Sequence, residues 1–242
     1  MNSTQHTLKV EIWSDIMCPF CYIGKRKFEN ALSVFPEKNK IEVEWKSFQL
    51  APEMKTTPGK TIHEYLAEHK GFSLTDARRM NDHVTAMAAK VGLTYNFDKA
   101  VVANSFNVHR FSHFAKVKGK QNEAEEKLFQ AYFTEGKNMD DYSTLIQLGE
   151  EIGLEPMEIR TALEKGSFRD DVTADIEEAH QLGVNGVPFF VFNRKYAISG
   201  AQESQTFTQV LTKSFEEWNL NNPIVITEMG EGEVCTPDGE CK

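Results

Sequence analysis

WSDIMCPFCYIG, running from Trp13 to Gly24, sets two thiols, Cys18 and Cys21, one helical turn apart around a Pro-Phe pair. Just upstream, Leu8, Val10 and Ile12 alternate with Lys9 and Glu11, a strand pattern that the polar Ser14 and Asp15 end. Pro19 suits the first turn of a helix, where its missing N–H costs nothing. Phe28, Ala31, Leu32 and Phe35 then recur at helical spacing, and Pro36 closes the run. Ile41, Val43 and Trp45 alternate again as a second strand. The quoted stretch is therefore the first turn of a β-α-β unit, whose strands are expected to be parallel with a right-handed crossover.

This position gives the two sulfurs different chemistry. A cysteine where a helix begins lies beside free backbone N–H groups and the positive end of the helix dipole, and both favour thiolate over thiol. Cys21, one turn deeper, can close a short ring with Cys18 and release whatever Cys18 has captured. The spacing assigns Cys18 as nucleophile and Cys21 as resolving thiol. Two other readings compete: a pair packed as small hydrophobes, or half of a zinc site completed by Cys235 and Cys241. A C-x-x-C directly after a strand and opening a helix favours redox chemistry over both, and CTPDGEC at Cys235–Cys241 is not a usual zinc knuckle.

Composition narrows the field. The 242 residues leave room for one large domain, or for a core domain carrying an insertion. A hydrophobic content of 40% is enough for a real core. The net charge of −9 argues against nucleic-acid partners, whose phosphates need a basic footprint, and against a polybasic membrane surface. The opening MNSTQHTLKVEIW lacks a charged segment followed by an apolar one, and no apolar run is long enough to span a bilayer. The expectation is a cytoplasmic protein with no membrane partner, in which cysteine pairs serve catalysis or sensing more often than structure.

The chain divides into four parts. Residues 1–60 hold the β-α-β unit, and residues 61–165 read as helix after helix. Helices are expected near Ile62–His69, Leu74–Val91, Asn104–Val117, Glu123–Thr134, Tyr142–Ile152 and Pro156–Leu163, with glycines marking their ends. Residues 166–218 return to α/β character: a helix with Val172, Ile176, Ala179 and Leu182 on one face, a buried strand at Phe189–Phe192, an antiparallel partner at Tyr196–Ile198, and a last helix. Residues 219–242 read as an acidic tail with the Cys235/Cys241 pair, a candidate second redox couple or an incidental tail feature. Without the helical block, the order β-α-β-α-β-β-α is that of a thioredoxin-like domain, so the fold class is α/β, a thioredoxin-like fold with an inserted all-helical domain.

Val187-Pro188 opens the buried strand, where a proline has no ladder hydrogen bond to lose. Both isomers of that bond are accessible, and on sequence grounds an ordinary trans proline opening a strand is the simpler reading. His109 and His113, one turn apart, suit a metal or, more simply, a packed helix face. Asn104 suits a helix cap.

These segments together resemble the DsbA family of thioredoxin-like oxidoreductases, in its FrnE-like branch. CPFCYIGKRKFENAL at Cys18–Leu32 is similar to the family's C-P-x-C-Y-x-G helix, and FQLAPE at Phe48–Glu53 to its F-x-L-N-P turn, with Ala51 where Asn is usual. NSFNVHRFSHFA at Asn104–Ala115 resembles the helix of the insertion, and GVNGVPFFVF at Gly183–Phe192 the cis-proline strand. The resemblance spans about Leu8 to Trp218. It implies a mixed-disulfide mechanism through Cys18 and Cys21, a cis Pro188 facing Cys18, and substrate contacts from Pro19, Phe20, Val187 and Pro188. For Asn104 the resemblance hints equally at a place facing the cleft. Implied partners are protein or small-molecule disulfides and dithiols, glutathione among them; no cofactor or metal is implied. Pro19-Phe20 differs from the Pro-His of periplasmic oxidants, which removes one stabiliser of the thiolate. Glutathione-dependent 2-hydroxychromene-2-carboxylate isomerases share the plan but usually carry Ser at the position of Cys18. A chaperone-like binding module is the rival from another class.

Overall fold

The computed structural model describes residues 7–222; Cys235 and Cys241 lie outside the described residues. Strand β1 (Leu8–Ser14), helix α1 (Pro19–Ser33) and strand β2 (Ile41–Ser47) form the expected unit, with β1 and β2 parallel and Val10 opposite Val43. Strands β5 (Phe189–Phe192) and β6 (Tyr196–Ser199) complete a four-stranded sheet in the order β2-β1-β5-β6. β5 runs antiparallel to β1, with Ile12 opposite Phe190, and β6 antiparallel to β5.

Because side chains alternate across a strand, β1 feeds two cores. Leu8, Val10 and Ile12 join Cys21, Ile23, Phe28, Phe190 and Phe207 in the larger one, under α1 and the last helix, α9 (Ser204–Asn221). Phe28, Phe190 and Phe207 form a triangle of rings, with Phe28 5.7 Å from each of the others and those two 4.7 Å apart between centroids. On the other face, Trp13 packs with Phe48, Ala179 and Val184, and its indole N–H donates to the Asp175 backbone oxygen at 2.9 Å. That second layer is α8 (Arg169–Gln181).

Between β2 and α8 lie β3 (Thr57–Thr61), α2 (Ile62–Lys70), α3 (Leu74–Ala89), β4 (Val101–Val102), α4 (Phe106–Val117), α5 (Gln121–Gln130), α6 (Tyr142–Glu151) and α7 (Pro156–Glu164). The six helices fall where periodicity places them. Boundaries differ by one or two residues, and the expected Glu123–Thr134 helix differs most: it starts at Gln121 and passes into a π turn at Ala131–Glu135.

The small antiparallel pair β3/β4 corrects the expectation of a wholly helical block, and β3 straddles the boundary drawn after residue 60. Thr-Pro-Gly-Lys-Thr carries no apolar alternation and pairs with a register shift, so periodicity has nothing to detect.

Within this block α4 is central. Arg110, only 1% exposed, donates to the Ala162 and Leu163 oxygens at the end of α7 and to the Ser167 oxygen. A cation placed on the last carbonyls of a helix complements their partial negative charge.

Candidate active site

β1 ends at Ser14 and the chain turns sharply into α1. The Cys18 N–H donates to the Asp15 oxygen at 2.9 Å, and Cys18 is the residue immediately before the helix, with Pro19 in its first turn. The Asp15 carboxylate fixes this turn. One oxygen accepts from the Met17 N–H at 3.1 Å, a local side-chain turn, and the other from the Leu50 N–H at 2.8 Å. No acidic residue occupies the first turn of α1, and no side chain caps it. The positive end of the α1 dipole therefore lies at Cys18.

Both cysteines are thiols. Cys18 is 4% exposed and Cys21 is fully buried. Burial pushes the Cys21 thiol well above its ordinary value, and the neighbouring Cys18 sulfur adds to the rise. Two groups act the other way on Cys21: the Ser14 hydroxyl and the backbone amide of Asp15.

The structure brings the two distant sequence motifs together. The Val187–Pro188 bond is cis, and the Cys18 Sγ lies 3.5 Å from the Val187 oxygen, to which its S–H donates. Gly24 permits this approach: a Cβ built there would stand 2.9 Å from Pro188 Cγ. Phe20 is 38% exposed beside the thiol, an apolar surface at the mouth of the site.

The block between β2 and α8 contributes groups that the sequence reading did not single out. The Tyr95 hydroxyl donates to the Pro19 oxygen at 2.7 Å, and its ring stacks on Phe133 with centroids 4.5 Å apart. Burial pushes the Tyr95 phenol up, with the two cysteines contributing. Tyr22, in α1, donates to Glu126 at 2.7 Å, and Glu126 also meets Lys25 at 2.5 Å and Arg26 at 2.6 Å. Burial alone would raise the Glu126 carboxyl; Lys25 and these hydrogen bonds hold it below its usual range. A pocket of about 230 Å³ opens beside the thiol turn, lined by Met17, Pro19, Leu50, Met54, Ile62 and Tyr132 among others.

His109 and His113 are both buried and have separate partners. His109 Nε2 stands 3.7 Å from the Asp15 carboxylate, whereas His113 Nε2 is 3.0 Å from Asp175 and 3.1 Å from Ser47 Oγ. They do not converge, and among the described residues no cluster of His, Cys, Asp and Glu is grouped to hold a metal. Asn104 neither lines the thiol turn nor acts as a simple cap. Its side chain donates to the Pro52 and Met54 oxygens and accepts from the Phe106 N–H, tying the Phe48–Glu53 turn to the start of α4.

A thiol pair opening a helix, set against a proline-led strand of a four-stranded mixed sheet, defines a thioredoxin-like protein. The chain belongs to the DSBA-like thioredoxin domain family, whose model matches residues 9–212. A probable DsbA oxidoreductase from Streptomyces coelicolor is similar to it, with 36% identity, 97% of this chain and 98% of its own covered, and a TM-score of 0.81. The uncharacterized protein YwbO of Bacillus subtilis is 29% identical over 209 residues, 85% of this chain and 96% of its own. The cytosolic disulfide reductase DsbM from Pseudomonas aeruginosa, solved with GSH, shares the fold at 16% identity and a TM-score of 0.62, over 86% of this chain and 100% of its own. Among the described residues no helix is long and apolar enough to cross a membrane.

Proposed function

We infer that this chain is a dithiol–disulfide oxidoreductase in which Cys18 attacks and Cys21 resolves. The carrying observation is the Cys18 Sγ at the start of α1, 3.5 Å from the Val187 oxygen. A substrate strand laid along the Val187 backbone brings its own cysteine to Cys18, because main-chain pairing fixes position while side chains stay free to vary. The Cys18 thiolate attacks one sulfur of the substrate disulfide. A Cys18–substrate bond forms, the substrate S–S bond breaks, and the departing sulfur takes a proton. Cys21 then attacks Cys18 Sγ, a Cys18–Cys21 disulfide forms, and the second substrate sulfur leaves as a thiol. The same steps run backwards deliver the disulfide to a dithiol. Pro19, Phe20, Val187 and Pro188 supply the substrate-facing surface.

The substrate class proposed is an extended polypeptide, in the cytoplasm. The pocket flanked by Met17 and Pro19, the two neighbours of Cys18, suits one bulky apolar side chain beside the substrate's cysteine. Glutathione, present with a relative of the same fold, is the proposed small thiol partner.

An insulin-reduction assay tests the reading. Cys18→Ser is expected to abolish turnover, and Cys21→Ser to accumulate a mixed disulfide with substrate. Turnover retained in Cys18→Ser overturns the assignment.

A further inference from the structure

Cys21 must attack as a thiolate from a fully buried position, where burial disfavours the charge. A buried thiolate is formed readily only where hydrogen-bond donors already point at it, as they do for any developing anion. Two are in place. The first is Ser14. Alternation along β1 puts it on the face of Val10 and Ile12, the face that α1 covers with Cys21. Its side chain is buried and its Oγ has no hydrogen-bond partner. A buried hydroxyl without a partner is costly, so its retention beneath a reactive sulfur indicates a task there. The second is the Asp15 backbone N–H. The turn that holds it is fixed by the Asp15 carboxylate through Met17 and Leu50.

We propose that the Ser14 hydroxyl and the Asp15 N–H form a two-donor cradle for the Cys21 thiolate, dedicated to the resolving step. It rests on the oxidoreductase reading above. In the mixed disulfide, Cys21 gives up its proton and the cradle holds the resulting charge. Cys21 Sγ then bonds to Cys18 Sγ, the Cys18–substrate S–S bond breaks, and the substrate sulfur leaves and takes up the proton. The two electrons that reduce the substrate come from the two thiols, so no further reductant is required. Capture by Cys18 does not use the cradle.

Single-turnover kinetics with a peptide disulfide separate the two steps. Ser14→Ala is expected to slow release of the second peptide thiol about tenfold while leaving capture within about twofold, the loss of one hydrogen bond to a charged group. The pH at which release is half-maximal shifts upward, and Ser14→Thr, which restores the hydroxyl, recovers the rate. Ser14→Gly removes the hydroxyl without adding an atom and gives the same result should Ser14→Ala pack poorly. Unchanged release in a folded Ser14→Ala or Ser14→Gly protein overturns the cradle, as does equal slowing of capture and release. Failure of capture in the unaltered protein overturns the oxidoreductase reading instead.

Discussion

The Tyr95 hydroxyl donates to the backbone oxygen of Pro19 at 2.7 Å, so a residue between α3 and β4 holds the residue that follows Cys18. The tyrosine is itself fixed, since its ring stacks on Phe133 and lies against Tyr22 with centroids 6.2 Å apart. Tyr95→Phe keeps the packing and deletes the hydrogen bond, with an expected loss of about 1 kcal/mol. Tyr95→Ala also opens a cavity and is expected to cost about 3–4 kcal/mol. Urea unfolding at neutral pH measures both. Equal losses would assign the whole effect to the hydroxyl and none to the ring.

The two thiols are expected to react in a fixed order. Cys21 is fully buried and its thiol is pushed up by that burial, whereas Cys18 is slightly exposed and stands immediately before α1, at the positive end of its dipole. Iodoacetamide at mildly acidic pH should therefore label Cys18 first, and peptide mapping reads the order. Preferential labelling of Cys21 reverses the roles assigned to the pair.

How much of this was legible in the sequence follows from what kind of signal each part leaves. β1, α1, β2 and the β5/β6 hairpin were legible because alternation and helical spacing record which faces are buried. The Cys18/Cys21 motif was legible because residue type and spacing state its chemistry, whereas the cis bond at Val187–Pro188 was expected only from the family resemblance. Ser14, Asp15 and Tyr95 were not, because their partners are chosen by tertiary packing. Tyr95 reaches Pro19 across 76 residues, and nothing local to either position signals the contact. Arg110 is similar: a charged residue on a helix reads as solvated until the end of α7 is seen to need it. Asp15 alone left a trace, since an aspartate just ahead of a helix commonly bonds to the N–H two residues on.

Gly24 is where α1 meets the proline strand most closely. Alanine there gains about 1 kcal/mol in helix propensity. Its Cβ would lie 2.9 Å from Pro188 Cγ and 3.4 Å from Phe190 Cζ, both on the rigid, buried strand segment. Overpacking of this kind costs about 1–3 kcal/mol, so the clash is expected to outweigh the propensity. Gly24→Ala should lower the urea midpoint and, by moving α1 away from Val187, reduce turnover of a protein disulfide. A higher midpoint with full activity would show that the helix shifts freely.

Asp175 ties α8 to the sheet and to α4. It accepts from the Ser47 N–H at 2.9 Å and Lys46 at 2.8 Å, and meets His113 at 3.0 Å. Burial opposes its charge, but His113, Lys46 and the Ser47 amide hold its carboxyl below the ordinary value of 3.8. A carboxyl lowered on folding contributes stability that is fully present above its unfolded value and is lost as pH falls through the folded one. Asp175→Asn is thus expected to cost about 3 kcal/mol near neutral pH. The gap to the unaltered protein should narrow only below about pH 4. Urea midpoints measured down the pH scale check this, and a gap already closed at pH values well above the carboxyl's range would assign the tie to other groups.

The pocket beside Cys18 should make turnover depend on the residue next to the substrate's cysteine. Its floor combines the thiol turn, through Met17 and Pro19, with Met54 and with Ile62 at the start of α2, so the inserted helices shape it directly. At about 230 Å³ it has room for one large side chain rather than a folded surface. Apolar burial of such a side chain is worth about 1.5–3 kcal/mol, which corresponds to roughly 10–100-fold in turnover at low substrate concentration. Peptide disulfides with Leu or Phe beside the cysteine are expected to be turned over faster by that margin than those with Asp. Met54→Asp should erase the preference while leaving a small disulfide, which places nothing in the pocket, at its original rate. If the preference survives Met54→Asp, the pocket does not hold the side chain. If small and peptide disulfides slow together, the substitution has disturbed the thiol turn, and Asp15's hold on Leu50 is the contact to inspect.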